Sequence, residues 1–251
     1  MKRARLIFLA SSLACLFATA APAKDEIRKE SFLSGGKKHT YSIYVPKSVE
    51  GSKTPAPLLV ALHGSGRDGL SLVEKWKELA AKEGFIVVGP DALDPKGWFI
   101  PRDSPDPLHD LVEELKSKHP VDPRRVYLFG HSAGAGMALV LSVLESEYFA
   151  AVAVHAGALP TERYGLIDLA KRKTPISIIV GTRDPAFPLA AVRATRDELN
   201  KRGFDVQLSE IAGHDHWYYD RAAEFNLALW DFLKKQQLAA EPRYEQYQFG
   251  K

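Results

Sequence analysis

A short apolar run, residues 126–129, leads into the pentapeptide Gly130-His131-Ser132-Ala133-Gly134, and a small-residue, helix-prone run follows over 135–144. That order implies a strand, a sharp reversal and a helix, with one serine at the apex. The serine backbone must take up a strained conformation, and the flanking segments must pass so closely that a Cβ at Gly130 or Gly134 would clash. Such a turn lifts the Ser132 hydroxyl over the carboxyl-terminal edge of a parallel sheet, beside a helix N-terminus whose free amides favour negative charge. The pentapeptide alone turns up by chance in about one chain in ten of this size. The strand before it and the helix after it make it specific, and together they read as a nucleophile elbow.

The rest of the chain alternates strands with helices. Residues 24–38 are polar and read as a lead-in. Residues 39–45 alternate apolar with polar and predict a half-buried strand stopped by Pro46. The continuous apolar run at 57–62 predicts a strand buried on both faces, and 85–88 another buried strand; 150–154, 175–180 and 205–211 read as further strands. Helical periodicity covers 70–82, 108–118, 188–201 and 221–235, with Gly84 as a stop. Residues 92–107 are irregular, and 121–125 turn the chain into the elbow strand. No repeat and no second domain is visible. The pattern predicts one α/β domain over 24–238, with a mostly parallel central sheet and helices on both faces. A polar tail follows over 239–251, and its tyrosines are candidates to dock on the surface.

The N-terminal segment has a different character. A basic start, Lys2, Arg3 and Arg5, precedes an apolar stretch too short to span a bilayer, and Ala21-Pro22-Ala23 offers a small-x-small cleavage signal. Residues 1–23 are therefore expected to be a signal peptide, which makes the mature protein secreted or periplasmic with no membrane span. Its removal takes away Cys15, the one cysteine, so neither disulfide nor thiol chemistry is expected. Lys plus Arg falls from 34 to 31, equal to Asp plus Glu at 31, and charge offers no reason to expect a nucleic-acid partner.

A serine hydroxyl needs an adjacent base. In an elbow fold that base is expected last in chain order, on the loop after the final strand, where His214 and His216 both stand. A third ligand that would make this pair a metal site is missing from the neighbourhood, and neither a metal nor a cofactor is expected. The acid belongs between nucleophile and base, and Asp184 follows the strand end at Gly181. His63-Gly64-Ser65-Gly66 closes an earlier strand where an oxyanion loop is expected, which nominates the backbone amides of Ser65 and Ala133. Trp98 and Trp217 are candidates for a substrate-facing rim. Trp76 and Trp230 read as core, and His131 as packed beneath the turn.

These residues resemble the α/β-hydrolase superfamily, and more narrowly the secreted esterases of the polyhydroxybutyrate depolymerase, feruloyl esterase and esterase D-like group. Leu62-His63-Gly64, the run from Val121 through the elbow, residues 149–153, Gly181-Thr182-Arg183-Asp184, and residues 213–219 carry the likeness, over roughly 40–235. The resemblance implies an α/β-hydrolase fold with little or no lid domain and a shallow, open pocket. Asp215-His216-Trp217-Tyr218-Tyr219 matches the esterase D-like pattern and points to His216 as base; the depolymerase pattern Gly-His-x-Trp points to His214. The expected function is that of a serine esterase working through Ser132, Asp184 and His216 on a small or polymer-borne ester. The alternatives are a peptidase of the same fold and a non-catalytic envelope protein that retains it.

Overall fold

The computed structural model describes residues 26–103 and 105–247, so the expected signal peptide lies outside the described residues. Eight strands form one sheet in the order β1-β2-β4-β3-β5-β6-β7-β8. They are β1 (Arg28–Ser34), β2 (Lys37–Tyr44), β3 (Ala56–Leu62), β4 (Ile86–Pro90), β5 (Val121–His131), β6 (Ala151–His155), β7 (Ile176–Gly181) and β8 (Val206–Ile211). β2 runs antiparallel to both neighbours, and from β4 to β8 every pairing is parallel. Helices α1 (Gly69–Glu83) and α5 (Ala222–Leu233) cover one face. The other carries α2 (Asp106–Lys118), α3 (Ala133–Leu144) and α4 (Leu189–Lys201).

The apolar runs divide between these two layers. Along β3, Leu58, Val60 and Leu62 face α3, while Leu59 and Ala61 face α1. A strand covered on both sides cannot alternate with polar residues, which is why these segments read as unbroken apolar sequence. α1 is closed at both ends by local chemistry: the Asp68 side chain accepts the Ser71 amide, and Gly84 ends the helix at φ 74°.

Two sequence expectations need correction. The polar lead-in contains β1, a full strand paired with β2 from Arg28↔Ile43 to Ser34↔Lys37. Only Phe32 and Ser34 of this edge strand are buried, so its charged residues hid it. The signal was there in Gly35-Gly36, at φ 54° and 74°, a two-residue hairpin turn that needs positive φ at both positions. Residues 121–125 are also part of β5, which bulges between its pairings Ala56↔Val121 and Leu58↔Val126. The tail docks through its tyrosines: Tyr244 stacks on His109 at 3.9 Å, and Tyr247 donates to the Leu144 carbonyl.

Under that tail lies Glu145, 2% exposed, whose Oε2 accepts the Glu245 amide while Oε1 has no hydrogen-bond partner among the described residues. Burial pushes its carboxyl up from 4.5 to about 7. Across that window the native state binds more protons than the unfolded chain, so stability is full at the acid end and falls as pH rises. Wild type is expected to lose about 2–3 kcal/mol relative to Glu145→Gln between the two limits. Denaturant melts of both proteins across the pH range check this; a constant difference refutes it.

Candidate active site

Ser132 caps α3 at φ 57° and ψ −117°, a region L-residues rarely adopt. Its surroundings leave no other path. A Cβ on Gly134 would stand 1.9 Å from the Leu62 carbonyl oxygen, and one on Gly130 would stand 2.3 Å from the Gly134 carbonyl oxygen. The β5–α3 reversal is thus pressed against the end of β3. The Ser132 amide donates to the His155 carbonyl across the β5–β6 edge at 3.1 Å, which fixes the apex from the other side.

Three side chains from three strand ends converge there. His216 Nε2 lies 2.9 Å from Ser132 Oγ, and His216 Nδ1 lies 2.9 Å from Asp184 Oδ2. A carboxylate only accepts, so the shared proton sits on Nδ1, and the Nε2 lone pair faces the serine hydroxyl. Asp184 follows β7, and its side chain is fully buried. Its other oxygen accepts the Ala186 and Phe187 amides at 2.8 and 2.9 Å, which holds the carboxylate in one orientation. Phe187 lies nearly parallel to the His216 ring, 5.7 Å away at 18°. This arrangement can take a proton from Ser132 Oγ and stabilise the imidazolium that results.

The loop after β3 approaches from the opposite side. A Cβ on Gly64 would sit 3.2 Å from the Ser132 Cβ. A Cβ on Gly97 would reach Ala133 Cβ at 3.3 Å and Ser65 Oγ at 3.6 Å, so Ser65, Gly97 and Ala133 meet at one corner. Ala133 opens α3, and its N–H has no acceptor within the helix. The loop is braced mainly by the segment that follows β4. His63 Nε2 accepts the Ala92 amide, its Nδ1–H therefore donates to the Gly64 carbonyl, and burial holds its pKa low. The Trp98 indole donates to the His63 carbonyl, and Ser65 Oγ to the Lys96 carbonyl.

A cleft of about 310 Å³ opens beside Ser132, walled by Trp98, Phe99, Met137, Ala158, Pro160 and Phe187, with Lys96 and Arg163 at its margin. A larger concavity of about 650 Å³, between the β1–β2 hairpin, α2 and the tail, contains none of the three converging side chains. Chemistry rather than volume therefore picks out the smaller one. Among the described residues no cluster of three or more His, Cys, Asp or Glu could hold a metal ion.

Of the residues singled out in the sequence, Ser132, Asp184, His216, Ser65, Ala133 and Trp98 are brought together. His214 and Trp217 are not. His214 turns away and meets His155, 3.0 Å between their Nε2 atoms. Trp217 is 42% exposed on the outer side of the histidine loop, with Arg67 over its ring, and does not line the cleft. Sequence reasoning missed Phe187 and Asp103. Phe187 lies in the turn tied to Asp184. Asp103, 3% exposed, accepts the Leu93 and Phe99 amides and so shapes the wall that carries Trp98.

The model of one protein family, described as the dienelactone hydrolase family, matches residues 48–246. Among characterised sequences, the chain is 32% identical over 120 residues to poly(3-hydroxyalkanoate) depolymerase C of Paucimonas lemoignei, covering 43% of this chain and 29% of that protein. It is 28% identical over 146 residues to a bifunctional acetylxylan esterase/xylanase of Neocallimastix patriciarum, covering 57% of this chain and 21% of that one. Each match thus spans less than a third of the relative. A solved S-formylglutathione hydrolase from Agrobacterium tumefaciens superposes with a TM-score of 0.67 at 20% identity, over 83% of this chain and 94% of that one, so the two share the α/β-hydrolase fold.

The packing of the elbow makes a sharp contrast within one helix. Gly134→Ala must push α3 off β3 and is expected to cost at least about 3 kcal/mol. Gly136→Ala, where a Cβ meets nothing within 4 Å, is expected to be neutral or to stabilise by about 0.5–1 kcal/mol. Equal denaturant midpoints for the two variants contradict this account.

Proposed function

The chain belongs to the dienelactone hydrolase family, and we propose that it is a serine esterase whose nucleophile, base and acid are Ser132, His216 and Asp184. The continuous hydrogen-bonded line from Asp184 through His216 to Ser132, at 2.9 Å per link, carries the reading. Ser132 Oγ attacks the ester carbonyl as its proton passes to His216 Nε2. The carbonyl oxygen gathers negative charge beside the N-terminus of α3, where the Ala133 and Ser65 amides are its donors. The tetrahedral intermediate collapses, the C–O bond to the alcohol breaks, and His216 returns its proton to the departing oxygen. A water molecule then attacks the acyl-serine, with the same imidazole as base, and the released acid restores Ser132. Asp184 keeps the imidazole in the required tautomer throughout. Every proton moves between groups of this chain, substrate and water.

The cleft suggests the acyl partner. At about 310 Å³, walled by Trp98, Phe99 and Phe187 and floored by Met137, it suits a compact apolar or flat acyl group rather than a long chain. The exposed rim around it suits an alcohol of any size, a polymer-borne one included. Export rests on the pattern of residues 1–23, and among the described residues no helix is long and apolar enough to cross a membrane.

Hydrolysis of a p-nitrophenyl ester series from acetate to decanoate tests the reading. Wild type is expected to prefer the shorter esters. Ser132→Ala and His216→Ala are each expected to lose at least about 10⁴-fold in kcat, with Asp184→Asn close behind. Folded wild type no faster than Ser132→Ala on every ester would refute the assignment.

A further inference from the structure

The histidine that the site leaves aside belongs to a second assembly. His131 ends β5, His155 ends β6 directly beside it in register, and His214 lies on the loop that carries His216. Their rings form a chain: His131 Nδ1 lies 3.1 Å from His155 Nδ1, and His155 Nε2 lies 3.0 Å from His214 Nε2. All three are at most 8% exposed. A neutral imidazole has one N–H and one lone pair, so each link takes one proton, and the chain is satisfied only with its N–H groups all pointing the same way. A proton added to the middle ring would leave two N–H groups opposed at one link. Burial opposes that addition, pushing His131 down to about 3 and His155 to about 2.

His155 touches both the elbow and the loop that carries His216. Its carbonyl accepts the Ser132 amide, and its ring holds the His214 ring. His214 in turn accepts the Arg183 amide with its own carbonyl at 2.9 Å, on the turn that presents Asp184. His216 follows two residues later. Resting on the esterase reading above, we propose that His155 and His214 are positioning residues: their imidazole link ties the histidine loop to the strand ends beside Ser132 and sets the distance from His216 Nε2 to Ser132 Oγ.

A misplacement of about 1 Å at a reacting atom can cost about 100-fold in rate, which sets the scale. The test compares His214→Gln, whose amide reaches the Nε2 position, with His214→Asn, whose amide falls short; both remove the ring that packs on Phe225. His214→Asn is expected to lose about 10- to 100-fold in kcat, with KM within about twofold, and His214→Gln to recover most of that loss. Even the weaker variant stays far above His216→Ala, which separates positioning from base. A second readout needs no turnover: the downfield proton NMR signal of His216 Nδ1–H on Asp184 is expected to broaden or shift in His214→Asn and to persist in His214→Gln. Equal losses in the two variants, or an unchanged His216 signal in His214→Asn, overturn the proposal. A folded wild type inactive on every ester would sink the esterase reading alone and leave the NMR comparison to decide this one.

Discussion

The close approach of α3 to the end of β3 governs the molecule. Gly134 lies so near the Leu62 carbonyl that no side chain fits between, and Ser132 is left with a backbone of φ 57° that the surrounding sheet imposes. Such a conformation costs on the order of 1–3 kcal/mol and persists only where its neighbours over-determine it. Here they do: α3 is apolar nearly all round and buried along its length, and it locks the reversal from below. Asp184, His216 and the loop after β3 all follow strands of the same sheet, so their mutual geometry follows from strand register.

Around this frame the polar groups are sorted by water access. His63, His131 and His155 are buried, and burial holds each pKa low, so they serve as fixed hydrogen-bonding pieces. His216 sits at the mouth with part of its ring in solvent, opposite a buried carboxylate. The same residue type thus stands in two environments within one small volume, and exposure rather than identity divides them. The cleft wall is built differently again: both oxygens of Asp103 gather amides of an irregular loop, and that loop carries Trp98 and Phe99.

Much of this was legible in the sequence. Unbroken apolar runs marked the doubly covered strands, and the elbow with its strand and helix singled out Ser132, the proposed nucleophile. Chain order and Gly181 led to Asp184. What was hidden depends on long-range contact. β1 buries too few of its residues to alternate visibly, though Gly35-Gly36 announced the hairpin. His155 closes an apolar strand, where a polar side chain needs a partner, but its partners stand 24 and 59 residues away. Trp217 is a rim candidate by position alone; in the fold it lies on the outer side of the histidine loop, with Arg67 from the loop after β3 over its ring. Local propensity speaks for elements, whereas these residues answer to topology.

Ala156, like Ser132, has a positive φ, 55°, and the two follow the ends of neighbouring strands, joined through the Ser132 amide and the His155 carbonyl. Two strained residues side by side can relax only if the β5–β6 edge parts, and that edge lies in the middle of an eight-stranded sheet. Partial opening there is as costly as losing the whole domain. Ser132 and its surroundings are therefore expected to exchange their amide hydrogens with solvent among the slowest segments of the chain.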